Sequence, residues 1–410
     1  MQAENNKNYI KTLSFGCRLN AMECEKIKNM LAARGFCGVL VNTCSVTAEA
    51  ERQCGQTVRK IAREHPNSLI FVTGCGATRN PDLFARIPNV VVIDNAHKMD
   101  INAYIGALAG GKYAPVSATP DPDHNYSKQF VQIQNGCNHD CTYCITRLLR
   151  GTAVSFEYDD ILAEVRAAVA NGFGEVVLTG VDAASYIKTY DTRPFDIADL
   201  CAKLLADVPG LQRLRLSSVD PAVPAIRKII ELMHHEPRFM PHLHLSMQSG
   251  SDTILQSMRR RHTADTVREL VKLAGGRISF SWDIICGFPG ETDELFNETL
   301  GLVCELKPIH VHAFPYSPRP GTVAATMPNQ VNRAESKRRV KIITDAAAAN
   351  MREFMATRVG KTVQVLVESN NIGRDPHDVP VRVMGTPIPD RTICDVTITG
   401  TDENGLVGGR

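Results

Sequence analysis

Six short apolar runs recur through the middle of the chain: Phe130 to Gln134, Glu175 to Thr179, Leu211 to Ser217, His242 to Met247, Ile278 to Ile285 and Ile309 to Phe314. Helix-compatible stretches separate them. Parallel strands need a crossover long enough to hold a helix, so this alternation predicts a parallel α/β fold. A six-fold series closes most simply into a full or partial barrel, a (β/α)6 unit over 128–357, with its chemistry at the C-terminal strand ends.

A shorter alternation precedes it. Runs at Thr12 to Phe15, Val39 to Val41, Leu69 to Val72 and Val90 to Ile93, with helical segments Ala21 to Ala33, Ala48 to Glu64 and Pro81 to Ile87, predict a small open parallel sheet over 8–113. The Pro-, Asp- and Ser-rich passage 114–127 reads as a linker. A polar helix from Gln330 to Ala356 closes the central unit, and the Val-, Gly- and Pro-rich tail 358–410 reads as a small all-β module. A chain of 410 residues is long enough for two or three such domains.

Thiols mark the strand ends. Cys137-Asn138-His139-Asp140-Cys141-Thr142-Tyr143-Cys144 follows the first of the six runs. Three thiolates bind a soft metal centre, yet structural zinc sites and cuboidal iron-sulfur clusters normally take four ligands, so one coordination position is left over. A zinc site completed by His139 or a distant ligand is the alternative. A second trio closes the first three N-terminal strands: Cys17 in Gly16-Cys17-Arg18, Cys44 in Asn42-Thr43-Cys44-Ser45, and Cys75 in Gly74-Cys75-Gly76. Parallel strands present their C-terminal ends to one crevice, so these thiols converge into a second site. Cys201, Cys304 and Cys394 read as small buried hydrophobes.

No apolar run approaches the roughly 20 residues that span a bilayer, and Met1 to Lys11 lacks a signal-peptide stretch, which predicts a cytoplasmic protein with no membrane contact. In that reducing compartment thirteen cysteines serve metals or catalysis rather than disulfides. A net charge of +2 does not advertise a polyanion binder, so any basic surface is local.

The later strand ends offer a nucleoside pocket. Thr179 and Gly180 allow close backbone approach, Ser217, Ser218 and Gln248 supply hydroxyl and amide partners, and Asp283, Ile285 and Gly287 lie in a strand end and glycine turn suited to an adenine. The plainer reading of each is a turn glycine or a polar strand edge.

Three cysteines on a cuboidal cluster leave one iron open to chelate S-adenosylmethionine. The Cys137 to Cys144 loop in this respect resembles the radical SAM superfamily. Nearly the whole chain resembles the methylthiotransferases of that superfamily. The matching motifs include Val41-Asn42-Thr43-Cys44-Ser45-Val46-Thr47, Ala50-Glu51-Arg52-Gln53, Gln248-Ser249-Gly250-Ser251, Met258-Arg259-Arg260-Arg261-His262-Thr263, Gly287-Phe288-Pro289-Gly290-Glu291 and Tyr316-Ser317-Pro318-Arg319-Pro320-Gly321-Thr322. Those around Cys44 and Met258 are most similar to enzymes acting on threonylcarbamoyladenosine in tRNA; enzymes for isopentenyladenosine or a ribosomal-protein aspartate share the clusters. The chain departs from the family pattern at Ile145 to Ser155, at Gly76 and Thr78, and in the 358–410 tail, where a TRAM module is expected to grip RNA but acidic residues such as Asp375, Asp378, Asp390, Asp395 and Asp402 offset Arg358, Lys361, Arg374 and Arg382.

The resemblance implies two 4Fe-4S clusters, one on Cys137, Cys141 and Cys144 and an auxiliary one on Cys17, Cys44 and Cys75, with S-adenosylmethionine as cosubstrate. It implies a 5'-deoxyadenosyl radical that takes hydrogen from carbon 2 of an anticodon-loop adenosine, followed by capture of a methylthio group. Its implied partners are tRNA and an electron donor such as flavodoxin or ferredoxin. Arg147, Arg150, Arg259 to Arg261 and Arg319 are candidate phosphate contacts, with Arg150 and Arg319 the ones carried forward as substrate residues. The arginine run and Lys337 to Arg339 read more simply as solvated helix faces.

Overall fold

The structure, a computed structural model, describes residues 10–108 and 126–410. Most of the expected linker lies outside the described residues. The N-terminal unit runs β1 (Ile10–Ser14), α1 (Arg18–Ala32), β2 (Gly38–Thr43), α2 (Ala48–Glu64), β3 (Ile70–Gly74), α3 (Cys75–Arg79), α4 (Asp82–Ala85), β4 (Val90–Val92) and α5 (Ile101–Leu108). Its four strands pair in parallel in chain order. β2 and β3 are buried on both faces, which explains their unbroken apolar runs: Val41, Val58 and Val72 pack on one side, Ile27, Leu40 and Phe71 on the other. The start of α2 is fixed by Thr47, whose hydroxyl accepts from Ala50 N at 3.1 Å.

The central unit holds β5 (Lys128–Asn135), α6 (Thr146–Arg150), β6 (Val154–Ser155), α7 (Tyr158–Ala170), β7 (Glu175–Gly180), β8 (Ile187–Tyr190), β9 (Arg193–Asp196), α8 (Ile197–Asp207), β10 (Arg213–Leu216) and α9 (Ala225–His235). It continues through β11 (His242–Gln248), α10 (Asp252–Ser257), α11 (Ala264–Ala274), β12 (Ser279–Cys286), α12 (Asp293–Leu306), β13 (His310–Pro315) and α13 (Arg333–Ala356). The six expected runs form β5, β7, β10, β11, β12 and β13. They pair in parallel as two trios, joined by bridges from Leu214 to Phe239 and from Val219 to Leu245. Among the described residues β5 and β13 do not pair, so the curl is a half-barrel with an open side. The β8–β9 hairpin was not expected: its turn places Asp191 and Thr192 at positive φ without the Asn-Gly or Asp-Gly signal of such turns.

The C-terminal strands β14 (Thr362–Ser369), β15 (Ile372–Arg374), β16 (Pro380–Met384), β17 (Ile393–Asp402) and β18 (Gly405–Gly409) close into a five-stranded barrel in the order β14-β15-β16-β18-β17. This module plugs the half-barrel floor. Lys128, Glu175 and Arg213 begin β5, β7 and β10 in register. Glu175, with its carboxyl held down at about 2, lies 2.8 Å from Arg215, and burial is outweighed by the three cations around it. From the module, Asp378 accepts from Lys128 at 2.9 Å, Arg374 O accepts from Arg213 at 3.3 Å, and His377 Nδ1 lies 3.1 Å from Ser279 Oγ.

Burial, with Arg358 nearby, pushes His377 down to about 3. An unfolded histidine takes up its proton near 6.5, so this contribution is complete above that pH and is lost as pH falls toward 3. Wild-type stability from urea titrations is expected to drop more steeply between pH 7 and pH 5 than that of His377→Asn, by up to about 2 kcal/mol. Parallel declines would remove His377 from the cause.

Two surface expectations are corrected. Cys304 is exposed rather than a core hydrophobe, because it falls on the outer face of α12, while Cys201 and Cys394 are buried. Arg339 is not on a solvated face: it is buried and bonds Glu291 at 2.7 Å and Asp293 at 2.8 Å, tying α13 to the turn after β12.

Candidate functional site

Cys17 precedes α1, Cys44 follows β2 and Cys75 opens α3 directly after β3. Adjacent parallel strands thus deliver all three thiols to one edge. Gly16, at φ +86°, permits the closure: a Cβ there would lie 2.5 Å from Cys44 Sγ. Burial pushes the Cys44 thiol up, and Cys75 and Cys17 are close enough to raise it further. Asn95 Nδ2 donates to Cys75 Sγ at 3.5 Å and to Leu149 O at 3.0 Å.

The other trio lies on the loop after β5, pinned by Cys137 N to Gly151 O and by Thr142 N to Met258 O, both 3.1 Å. Backbone amides of His139 and Thr146 reach Cys137 and Cys144 Sγ at 3.4 Å, and Arg260 Nη1 reaches Cys141 Sγ at 3.5 Å. Burial pushes Cys137 up to about 11, with Asp182 and the two neighbouring thiols adding to the rise. Thiols clustered closely enough to push up Cys44 and Cys137 beyond the effect of burial fit a bound soft cation, whose charge would hold them as thiolates. In both trios the donor set therefore fits an iron-sulfur cluster.

A cavity of about 190 Å³ opens beside the second trio, with Asp182, Ser218, Asp220, Ser246, Gln248 and Arg260 in its walls. Gln248 stands at φ +68°, a conformation costing a non-glycine residue about 1–3 kcal/mol and retained where the surroundings enforce it. Of the expected nucleoside contacts, Ser218 and Gln248 line this cavity. Thr179, Gly180, Ser217, Asp283, Ile285 and Gly287 are not in its walls. Gly180 packs on Gln134, Asp283 faces His244 Nε2 at 3.0 Å, Ile285 joins the Phe288 cluster, and Gly287 turns tightly against Ser336 of α13. Ser217 keeps a buried hydroxyl without a hydrogen-bond partner among the described residues.

Arg150 and Arg319 require correction as substrate contacts. Arg150 is 3% exposed at its side chain and spans the two oxygens of Glu23 at 2.9 and 3.0 Å, while Lys98 Nζ reaches the same carboxylate at 2.6 Å. Arg319 is buried against Ser45 Oγ, at 2.9 Å, and Glu51. Both guanidiniums brace the N-terminal unit against the half-barrel. Arg260 is likewise no solvated residue, since Arg259 at φ +57° turns the chain so that Arg260 points inward to Cys141. Arg147 stays exposed at the cavity rim. Asp182, Asp220 and Ser246 went unread in the sequence.

The five-residue helix α6 connects the two trios. Ile145, next to Cys144, and Leu149 pack directly on Cys75.

Residues 131–303 match the radical SAM superfamily, and residues 7–94 match the family described as Uncharacterized protein family UPF0004. Threonylcarbamoyladenosine tRNA methylthiotransferase MtaB of Rickettsia prowazekii is 39% identical over 384 residues, 90% of each chain. The chain belongs to the radical SAM methylthiotransferases. A tRNA-2-methylthio-N(6)-dimethylallyladenosine synthase of Novosphingobium aromaticivorans is 32% identical, over 87% of this chain and 85% of the relative. The fold of this methylthiotransferase is shared with the radical S-adenosylmethionine methyltransferase TsrM of Kitasatospora setae, at TM-score 0.57 and 13% identity, over 78% of this chain and 77% of that one. A radical SAM enzyme carries a 4Fe-4S cluster and uses S-adenosylmethionine, and the methylthiotransferase offers three clustered thiols and an adjoining polar cavity for them. Among its described residues no helix is long and apolar enough to cross a membrane.

Proposed function

We propose that this methylthiotransferase converts threonylcarbamoyladenosine in the anticodon loop of tRNA to its 2-methylthio derivative. The observation that carries the reading is the pair of three-thiol sites set on either side of α6. Cys137, Cys141 and Cys144 would hold one 4Fe-4S cluster, and Cys17, Cys44 and Cys75 a second. With S-adenosylmethionine these groups supply the radical and sulfur chemistry.

The protein's share is placement. Ser218, Ser246 and Gln248 offer hydroxyl and amide partners to a nucleoside ligand, and Arg260 sets a fixed positive charge beside Cys141. Ile145 and Leu149 pack apolar surface against Cys75, which would shield that thiol from water. An adenosine must leave its stack to enter, which favours a single-stranded loop.

Two observations support a polar N6 substituent. One relative named for threonylcarbamoyladenosine is 39% identical, while others so named lie at 30–33%, beside the dimethylallyladenosine synthases at 32%. The half-barrel lumen is also lined with polar groups: His244 lies 3.0 Å from Asp283 and 2.7 Å from Ser281, and His310 lies 3.3 Å from His312. A dimethylallyl arm gains little there.

Zinc remains the rival for the second trio, since Cys137, His139 and Asp182 place candidate ligand atoms within 4.8 Å of one another. Anaerobic reconstitution is expected to give about eight irons per chain, as two cubane clusters require. Stoichiometric zinc without iron would sink the enzyme reading. In tRNA from a strain lacking the protein, threonylcarbamoyladenosine is expected to lose its methylthio group; full retention would refute the substrate.

A further inference from the structure

A larger cavity, of about 480 Å³, runs from Cys17 along Lys128 to Phe130 of β5, ahead of the point where β6 pairs with that strand at Gln134 and Asn135. Its charged side chains come from α1, β5 and the C-terminal barrel: Arg18, Glu25, Lys26, Lys128 and Arg391. Most are committed elsewhere. Lys26 pairs with Glu164 at 2.5 Å, Glu25 with Lys28 at 3.5 Å, and Lys128 with the floor carboxylates, while Arg391 stacks over Phe173 at 4.1 Å. Arg18 differs. It is exposed, makes no ion pair among the described residues, and rests its guanidinium 5.6 Å over the ring of Phe130, itself edge-on to Tyr126.

Two further facts aim this cation at the reaction space. Arg18 directly follows Cys17, one of the three thiols proposed to hold the auxiliary cluster. Its charge also reaches His312 on β13: burial first, then His310, His244, and finally Arg18 press that imidazole down to about 4. Arg18 thus stands across the open side of the half-barrel, between the thiol trio and the polar lumen.

We infer that Arg18 is a specificity-determining residue that pairs with the carboxylate of the threonyl arm of the substrate nucleoside. The inference rests on the substrate reading above. In adenine, carbon 2 and the carbon bearing N6 both flank N1, so an N6 arm starts beside the reacting carbon. A cation next to the auxiliary thiols is placed to meet a short acidic arm there. A planar guanidinium binds carboxylate through two parallel N–H···O bonds, and a ring beneath it limits the orientations it must give up on binding. An uncharged dimethylallyl arm offers it nothing, so the same residue selects against that substrate.

The test uses the reconstituted full chain and anticodon stem-loops carrying threonylcarbamoyladenosine, the same nucleoside with the threonyl acid replaced by a carboxamide, or dimethylallyladenosine. Dissociation constants and kcat/KM are measured for wild type, Arg18→Gln and Arg18→Lys. A charge-assisted pair predicts that wild type favours the acid over the amide by about 10- to 100-fold. In Arg18→Gln the preference is expected to shrink to about twofold or less, and Arg18→Lys to keep part of it. An undiminished preference in Arg18→Gln overturns the inference. Equal loss on acid and amide overturns it too, assigning Arg18 to a general backbone contact. If wild type methylthiolates the dimethylallyl stem-loop and leaves the threonylcarbamoyl one untouched, the substrate reading itself fails and the inference falls with it.

Discussion

Changing Cys137 to alanine is expected to abolish cleavage of S-adenosylmethionine, while Cys17→Ala keeps cleavage and loses sulfur transfer. The two trios sit on different units and share no ligand, so removing a thiol from one leaves the other's ligand set intact. Loss of a metal's outer-shell partner already costs about 10- to 100-fold, so loss of one of only three protein ligands is expected to exceed that. The readouts are 5'-deoxyadenosine and methylthiolated nucleoside, quantified from the same reaction. Equal loss of cleavage in both variants would refute the division of labour.

Glu23→Ala is expected to weaken the junction between the N-terminal unit and the half-barrel severely. The Glu23 carboxylate is 2% exposed and receives Lys98 from its own unit and Arg150 from the half-barrel. Burial alone would raise its pKa, but the two cations outweigh that and hold it below the usual carboxylate range. Alanine leaves two buried cations facing each other, and breaking a buried pair in this way costs about 3–5 kcal/mol. Glu23→Gln keeps hydrogen-bond acceptors and is expected to fall between the two. Urea denaturation followed by the fluorescence of the single Trp282 and by circular dichroism reads the loss. A change under about 1 kcal/mol would show that the interface does not depend on this carboxylate.

The strands were legible because their apolar runs are short, punctuated and, in β2 and β3, buried on both faces. Both thiol trios were legible for a related reason: each cysteine directly follows a strand or lies in the loop after one, and parallel topology does the rest. Arg150 and Arg319 were misread because their partners are remote in sequence, 127 residues away for Glu23 and 268 for Glu51. An exposed arginine and an interdomain brace look alike until the chain is folded. Arg260 was hidden by a left-handed backbone at Arg259 that no residue type there announces. The polar lumen had a readable signal that went unused. His242-Leu243-His244 and His310-Val311-His312 alternate polar with buried apolar residues inside strands, which places one polar row on a single face.

The plugged floor of the half-barrel bears on how this chain is made. Lys128 opens the first strand of the central unit and waits for Asp378, 250 residues later, for its 2.9 Å partner. Glu175, Arg213 and Arg215 are buried in the same layer. During synthesis this charged layer stays in contact with water until the last tenth or so of the chain has emerged, because contacts of such long range close late. The central unit therefore cannot reach its final state ahead of the C-terminal barrel. A chain released anywhere between Cys144 and β16 would carry both thiol trios and still lack the base on which they stand.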